Sequence, residues 1–290
     1  MTELPVRRLL VDLESPLHRH WNGGDAFRTA FFNALSMSFP VGEQFFIDSV
    51  RAGMAALPEA ERQRREPELR GFIGQEATHR RIHALFNGHL ERQGLINRWE
   101  PRIRRRLVRL QGVDLRAGLA VTAATEHFTA IMAEHLLGHD GPLAGAERRL
   151  QLLWHWHASE EIEHRSVAFD LYRSLGGSER WRRRIFWLVS WFFCSDVLRQ
   201  TANNLWRDGS WWRASTWAGG ARFLLGREGL LPSLFRPWRA YLRADFHPAR
   251  LGGPAGADWL LRHKADYLRV GSGVAGTVNA TADRMTGHSP

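Results

Sequence analysis

The sequence predicts an all-α protein in which a four-helix bundle is followed by a C-terminal helical extension rich in tryptophan. Apolar residues recur with the helical period over four long stretches, whereas the alternation typical of strands is nearly absent. Two Glu-x-x-His units, 76–79 and 161–164, lie on separate stretches, as they do in bundles that hold a pair of metal ions between their helices. Nine of the 13 tryptophans fall between Trp181 and Trp259, where the composition changes.

Length and composition describe a globular chain with a basic surface. The chain has 290 residues and is 44% hydrophobic, which is enough for a sizeable core. It carries 40 basic and 30 acidic residues, a net charge of +10, and every basic residue except Lys264 is an arginine. Such a charge suits nucleic acid or an anionic membrane. Because no helix-turn-helix, zinc-finger or RNA-binding signature accompanies it, we predict no nucleic-acid partner.

Cysteine usage and hydropathy predict a cytoplasmic protein. The lone Cys194 excludes a disulfide framework and a thiolate zinc site, and it suits a reducing compartment. The first 16 residues contain acids and no apolar core, so they do not resemble a secretory signal. The longest apolar run, 185–195, is much shorter than the roughly 20 residues of a membrane-spanning helix. Peripheral attachment to the inner membrane is the alternative location.

Proline, glycine and changes in composition divide the chain into four predicted parts. Residues 1–25 form an irregular lead-in, because prolines and the pair Gly23-Gly24 interrupt them. Residues 26–177 form the bundle, and residues 178–269 form the extension packed on it. Residues 270–290 are small and polar, which predicts a flexible tail.

The bundle helices are predicted over 26–53, 68–93, 114–137 and 145–175. Pro40 lies inside the first stretch, so we expect either a kink or a new helix start there. Pro58 and Pro67 bracket a charged segment that should connect the first helix to the second. Asp114 is a candidate N-cap for the third.

The extension is predicted to contain helices over 179–207, 211–225, 232–244 and 255–269. Its segment 181–200 is apolar nearly all round, which predicts burial against the bundle or in a homodimer. Tryptophans interleaved with arginines suit core packing, a lid over an apolar substrate channel, or a surface that contacts a membrane. The sequence alone leaves these three alternatives open.

Each predicted bundle helix carries one glutamate among apolar or small residues, and two of the helices add a histidine three residues later. Four buried and unpaired carboxylates would be prohibitively costly, and a pair of divalent cations removes that cost. Oxygen-rich sites with a few imidazoles favour iron, with manganese or zinc as alternatives. We therefore predict two metal ions. The expected ligands are Glu43, Glu76, His79, Glu126, Glu161 and His164.

Three further residues near this set have more than one interpretation. His157 lies four residues before Glu161, on the same face of the helix, and is either a ligand or a packed histidine bonded to a neighbouring helix. His83 has the same two interpretations, with packing favoured. Glu160 is a candidate catalytic base, and it could also replace Glu161 as a ligand, although the spacing matched in the second helix favours Glu161.

Segments around these residues resemble known families. The order Glu, Glu-x-x-His, Glu, Glu-x-x-His is similar to the ferritin-like di-iron carboxylate superfamily, which implies a ferritin-like four-helix bundle. A closer resemblance, to a bacterial family named predicted metal-dependent hydrolases, covers most of residues 25–250. It rests on the segments SFPVGEQFF, QEATHRRIH, TEHFTA, WHASEEIEHRSVAFD and YLRADFHP. The pattern His-x-x-x-Glu-x-x-His at 157–164 is similar to di-iron N-oxygenases of arylamines, which implies that His157 is a seventh ligand.

These observations predict an enzyme and leave its reaction open. The first hypothesis is an O2-activating di-iron oxidoreductase that acts on a hydrophobic or aromatic small molecule. The alternative is hydrolysis by a metal-activated water at the same centre, with Glu160 as base. A third hypothesis is a metal-binding or peripheral-membrane protein without catalysis.

Overall fold

The computed structural model describes residues 4–139 and 141–270, and helices dominate this part of the chain, which confirms the predicted all-α class. The helices are α1 (Ala26–Ala55), α2 (Glu59–Arg92), α3 (Glu100–Leu107), α4 (Leu115–Gly138), α5 (Arg148–His164), α6 (Val167–Ser174), α7 (Glu179–Asp208), α8 (Ala214–Leu225), α9 (Leu230–Ala240) and α10 (Ala255–Arg262). The strands β1 (Arg7–Leu9) and β2 (Tyr267–Arg269) form a two-stranded antiparallel sheet.

Four helices form the bundle. Helix α1 packs along α2 and beside α4, while α5 packs on α4 and contacts α2. Buried apolar side chains form two clusters within it. One cluster includes residues 27–37 of α1 and 82–90 of α2, and the other includes residues 46–50 and 69–72 of the same helices. The glutamates and histidines of interest lie along the bundle between the two clusters.

Two prolines lie inside helices. Helix α1 continues through Pro40, so of the two predicted outcomes, a kink or a new helix start, the new start does not occur. Proline has no N–H, and the carbonyl four residues earlier therefore lacks its helical partner. The Asn87 side chain replaces that partner, because its Nδ2 donates to the Ser36 carbonyl at 3.0 Å. Pro67 also lies inside a helix, so the charged segment before it forms the first turns of α2.

The fourth predicted helix is two helices in the structure. The helical hydrogen-bond pattern of α5 ends at His164, and α6 begins at Val167. Arg165 and Ser166, which separate them, keep right-handed helical backbone angles. The interruption lies directly after the last predicted metal ligand. Helix α3 lies in the strongly basic segment 98–109, which connects α2 to α4.

The extension covers the bundle along several sides. Helix α7 packs on α1 and α4, α8 on α1, α9 on α4, and α10 on α5 and α4. Within the described ranges, no helix combines the length and the apolar character needed to cross a bilayer. Apart from Val270, the predicted tail lies outside the described residues.

The N-terminal lead-in is more ordered than the sequence predicts. It contains β1, in which Arg7 pairs with Arg269 and Leu9 with Tyr267. A three-residue strand gives little periodic signal, and its partner lies more than 250 residues away in the chain. This pairing holds the Arg7 side chain against the bundle, where it is buried.

Candidate metal centre

The four bundle helices bring all seven predicted metal ligands into one buried cluster. Helix α1 contributes Glu43, α2 contributes Glu76 and His79, α4 contributes Glu126, and α5 contributes His157, Glu161 and His164. The sequence spacing predicts that each helix presents its donors to one site, because residues three, four and seven apart share one face of a helix. His83 and Glu160 are buried beside the cluster.

Three carboxylates surround His164. Its Nε2 lies 3.3 Å from Glu76 Oε1, 3.3 Å from Glu126 Oε2 and 3.4 Å from Glu161 Oε1. None of these approaches has the geometry of a hydrogen bond, since both ring nitrogens of His164 lack a hydrogen-bond partner among the described residues. Two donor atoms that bind one ion at about 2.1 Å are roughly 3.0–3.4 Å apart. The distances around His164 therefore suit a shared ion.

The second part of the cluster is centred on Glu161. His157 Nε2 lies 2.8 Å and His79 Nδ1 lies 3.5 Å from Glu161 Oε1. His79 Nδ1 is also 3.8 Å from Glu76 Oε1, and His157 Nε2 is 4.0 Å from Glu43 Oε1. Glu76 and Glu161 thus lie close to both His79 and His164. These two carboxylates therefore connect the two parts of the cluster.

Most donor atoms of the cluster have no hydrogen-bond partner among the described residues. This holds for both carboxylate oxygens of Glu43, Glu76 and Glu126. It also holds for Glu161 Oε2 and His79 Nδ1. A buried polar atom without a partner costs about 1–3 kcal/mol, and more if it is charged. Many donor atoms without partners face one another here. This arrangement suits the binding of divalent cations, which need deprotonated oxygen and imidazole donors.

Burial and mutual repulsion shift the acidity of the carboxylates. Burial raises the pKa of Glu43 well above its usual range, and the charge of Glu76 adds to this. Burial likewise raises the pKa of Glu76 and, together with the charges of Glu161 and Glu76, the pKa of Glu126. Burial opposes ionisation of Glu161 as well, but the neighbouring imidazoles, chiefly His164, outweigh it and hold the pKa of Glu161 well below its usual range.

The histidines divide into two groups. Burial disfavours the charged form of His79, but its bond to Glu160 and the nearby carboxylates of Glu161 and Glu76 outweigh burial and raise its pKa well above the usual range. Burial and the neighbouring histidines lower the pKa of His83 well below its usual range and that of His157 to about 4. His157 is therefore neutral, which is the form of imidazole that binds a metal ion.

Glu160 is adjacent to Glu161 in sequence but occupies a different environment. His79 Nε2 donates to Glu160 Oε2 at 2.9 Å, and Arg7 Nη1 donates to Glu160 Oε1 at 2.9 Å. Arg7 also donates to Glu163, at 2.7 Å and 2.9 Å. Both oxygens of Glu160 therefore have partners. The bond to Nε2 fixes the His79 ring with Nδ1 towards the cluster, as carboxylates do for metal-binding histidines.

A hydrogen-bonded chain from α1 and α2 orients His157. Because Asn87 Nδ2 donates to the Ser36 carbonyl, Asn87 Oδ1 accepts the Ser36 hydroxyl at 2.8 Å. The hydroxyl oxygen then accepts from His83 Nδ1 at 2.9 Å, which leaves a lone pair on His83 Nε2. That lone pair accepts from His157 Nδ1 at 2.6 Å.

The consequence of this chain is a particular tautomer of His157. With its proton on Nδ1, the Nε2 lone pair of His157 faces Glu161 Oε1 at 2.8 Å. Two lone pairs at this distance repel each other unless a cation lies next to both. The chain therefore favours His157 as a ligand and gives His83 the role of orienting it.

An apolar cavity of about 370 Å³ reaches the cluster at Glu43. Its walls come from α1, α3, α4 and α7, and include Phe39, Phe46, Trp99 and Phe193. A smaller cavity of about 50 Å³ reaches His157 and Glu161 from another direction. The larger cavity lies in the size range of sites for small molecules. Its lining suits a hydrophobic ligand.

The sequence predicted the residues that meet in the cluster better than the groups that orient them. It gave no role to Arg7, Ser36 or Asn87, because an isolated polar residue carries no spacing signal. Asn87 does lie one helical turn after His83 on the same face of α2. That spacing was the one sequence signal for the hydrogen-bonded chain.

Comparison with known proteins gives one match. A family model described as "Predicted metal-dependent hydrolase" matches residues 5–252, which is most of the chain and includes every residue of the cluster. No curated protein and no solved structure matches.

Proposed function

Since the chain belongs to the family of predicted metal-dependent hydrolases, we propose that it hydrolyses a hydrophobic small molecule at a centre of two metal ions. One observation carries the proposal: a buried set of glutamates and histidines without hydrogen-bond partners faces an apolar cavity of about 370 Å³. The donors are those that the sequence predicts, and the family description favours hydrolysis over oxidation.

The residues fall into two sets that share Glu76 and Glu161. One ion would be held by the shared pair with Glu126 and His164, and the other by the shared pair with Glu43, His79 and His157. When bound, such ions polarise a carbonyl group and generate a strong nucleophile from water at neutral pH. Iron, manganese and zinc all remain candidates for this donor set, which contains no thiolate.

The other side chains position the ligands and shape the cavity. Arg7 and Glu160 fix the ring of His79, while Ser36, His83 and Asn87 fix that of His157. Phenylalanines and tryptophan of the larger cavity would bind the hydrophobic part of a substrate and exclude water from its reacting bond. Glu160 as a catalytic base stays a prediction, and its contacts support a positioning role better.

Metal analysis with activity assays under two atmospheres tests the proposal. We expect close to two ions per chain and cleavage of a long-chain ester by the zinc or manganese form without O2. Glu126→Gln should lose metal and cleavage, whereas Glu134→Gln, about two turns later on α4 and bonded to Arg165 at 3.1 Å, should retain both. Less than one ion per chain would contradict the metal centre, and full metal content without ester or amide cleavage would contradict the reaction.

The second candidate is an O2-activating di-iron oxidoreductase. The observation that favours it is the donor set itself, in which four carboxylates outnumber the histidines of the predicted ligand set, together with the Nε2 lone pair of His157 facing the cluster. Iron in such a set would supply O2 activation. O2 consumption and an optical change on exposing the reduced iron form to air, with no hydrolysis by the zinc form, would favour this candidate. A cytoplasmic location, which the lone Cys194 favours, stays a prediction.

A further inference from the structure

The exposed tryptophans of the described residues lie in one region of the chain. Those with the most exposed side chains are Trp191 at 70% and Trp212 at 77%. The full set is Trp181, Trp187, Trp191, Trp206, Trp212 and Trp217, all on α7, on α8 or between them. A large indole costs free energy when it stays in water. Six of them on neighbouring elements indicate a surface that is covered by something else.

The exposed side of α7 combines these tryptophans with arginines. Trp187, Trp191 and Leu198 are spaced four and seven residues apart, so they lie on one stripe. Arg180 and Arg184 fall on the same side at helical spacing and are exposed. Helix α7 has 30 residues and is about 45 Å long, so the stripe is extended.

Ring contacts connect this stripe to the neighbouring elements. Trp187 packs edge-to-face on Trp238 of α9, with ring centres 5.0 Å apart, and Trp238 stacks on the exposed Phe235. At the other end of α7, Trp206 packs edge-to-face on Trp212 at 5.6 Å. We call the exposed parts of α7, α8 and α9 with their connecting segments the aromatic face.

The charge of the aromatic face identifies its partner. Residues 179–240 contain 11 arginines, of which Arg182 is buried and paired with Glu179, and four acidic residues. Of the four, Asp196 is buried and paired with Arg106, and Asp208 is paired with Arg19. A second copy of this chain would bring the same positive charge to a symmetric contact. An anionic lipid surface brings the opposite charge, and its interfacial region is where tryptophan and arginine are favoured together.

We infer that the aromatic face binds peripherally to a bilayer that contains anionic lipid. The larger apolar cavity reaches this face at α7, because the exposed Leu188 is among its lining residues, and the exposed Arg109, which follows α3, lines the cavity as well. The substrate would then be a hydrophobic ester or amide that resides in the bilayer and enters the cavity between α3 and α7. This second part rests on the proposed function, whereas the binding itself does not.

Sedimentation of the full chain with vesicles tests the binding. Vesicles of phosphatidylcholine with phosphatidylglycerol should carry the protein down, and vesicles of phosphatidylcholine alone should bind at least tenfold less. The double variant Trp191→Ala/Leu198→Ala should lose at least tenfold in binding to the anionic vesicles. Arg180→Gln/Arg184→Gln should weaken binding by a similar factor, and less so at high salt, since these charges act through the screened surface potential.

Matched variants outside the face serve as controls. Leu85→Ala/Leu261→Ala removes two exposed leucines from α2 and α10, and Arg51→Gln/Arg81→Gln removes two exposed arginines from α1 and α2. Both should bind vesicles like the wild type. Equal losses in test and control variants would overturn the inference. Failure of the wild type to bind anionic vesicles would also overturn it. One such outcome is a wild type that does not bind them because it is a dimer in solution, and that becomes a monomer in Trp191→Ala/Leu198→Ala.

A paired assay separates this inference from the proposed function. Cleavage of a long-chain ester in anionic vesicles should fall at least tenfold in Trp191→Ala/Leu198→Ala, while metal content and cleavage of a soluble short-chain ester should not change. Vesicle binding without cleavage of either ester would contradict the hydrolase and leave the binding intact. Cleavage of both esters by the variant at the wild-type rate would overturn delivery from the bilayer.

Discussion

Three glutamates of α5 differ in what surrounds them, although they lie within four residues of one another. Glu161 faces the other predicted metal ligands, and its Oε2 has no hydrogen-bond partner among the described residues. Glu160 is bonded to His79 and Arg7. Glu163 is partly exposed and is bonded to Arg7 and Gln75. The same side chain on one helix thus occupies three environments.

We predict graded losses of metal when each of these glutamates is changed to glutamine. Glu161→Gln removes a shared donor and should lower the metal content below one ion per chain. Glu160→Gln loosens the orientation of His79 and should weaken metal affinity by about 10–100-fold, since groups that orient ligands have effects of this size. Metal content after dialysis and competition with a chelator measure both effects.

The control for this series is Glu163→Gln. It removes one charge from the same helix and should leave metal affinity within a few-fold of the wild type, because Arg7 keeps its bond to Glu160. Full metal content in Glu161→Gln would contradict the assignment of the centre. A loss in Glu163→Gln as large as that in Glu160→Gln would mean that helix stability, rather than ligand orientation, determines the affinity.

At the scale of single residues, the sequence predicted those side chains whose spacing places them on one face of a helix. Glu76–His79 and Glu161–His164 were found because a metal centre in a helical bundle requires donors on one face of each helix. Whether His157 was a ligand could not be predicted, since that depends on the His83 ring from another helix at 2.6 Å. Such contacts between helices leave no trace in the local pattern.

Among the helices, α1 and α2 are coupled at Pro40. The proline leaves the Ser36 carbonyl without its helical partner, and Asn87 of α2 donates to this carbonyl while accepting the Ser36 hydroxyl. The proline thus ties the course of α1 to the chain that orients His157. A proline that was predicted to cause either a kink or a new helix start thus contributes to the orientation of His157.

We predict that Asn87→Leu destabilises the metal-free protein by about 1–3 kcal/mol, because it leaves the Ser36 carbonyl without its donor and the Ser36 hydroxyl without the acceptor of its proton. In the Pro40→Ala background the cost should be smaller by about 0.5–1.5 kcal/mol, since the introduced alanine supplies a backbone N–H to the Ser36 carbonyl. Denaturant unfolding of the four proteins measures the free energies of unfolding and gives this interaction energy directly.

The control pairs Asn87→Leu with Pro67→Ala, a change in α2 at an exposed position 20 residues away. Those two changes should be additive within about 0.3–0.5 kcal/mol. If Asn87→Leu were also additive with Pro40→Ala, the Ser36 carbonyl would have another hydrogen-bond donor. This result would contradict the coupling.

Helix positions were predicted well where the apolar period is long and less well at interruptions. The periods of α1, α4 and α7 gave bounds within two residues of the structure, because each helix buries a stripe over many turns. The start of α2 was missed because Pro67 suggested a boundary, whereas the helix begins at Glu59 and continues through this proline, which is its ninth residue. The end of α5 was missed because no residue type marks it.

For the whole molecule, the prediction failed where distant parts of the chain meet. The strand β1 pairs with β2 and holds Arg7 against Glu160, so the two ends of the described chain take part in supporting the centre. Each strand has three residues, too few for a periodic signal. The class of fold and the predicted ligands follow from local patterns, whereas the burial of these residues depends on contacts across the whole chain.

Because these contacts bury the predicted ligands, metal binding depends on the protonation of their side chains. In the metal-free protein, burial raises the pKa of Glu43, Glu76 and Glu126, and the bonds of His79 to carboxylates overcome burial and raise its pKa. A raised carboxyl pKa contributes stability below its ordinary value of 4.5, and that contribution is lost as pH rises through the value in the fold. Metal ions need the deprotonated groups and therefore displace these protons.

We predict that the stabilisation by metal grows as the pH rises. His83 and His157 have lowered pKa values and are neutral at neutral pH in both the metal-free and the metal-bound protein. They therefore do not reverse the predicted direction of the pH dependence. The increase in unfolding temperature on adding zinc or manganese to chelator-treated protein should therefore be larger at pH 8 than at pH 6. Calorimetry in buffers of different ionisation enthalpy should show proton release on binding, with fewer protons released by Glu43→Gln. An increase in unfolding temperature that is equal or smaller at pH 8, or binding without proton release, would contradict a centre built from buried and protonated carboxyl groups.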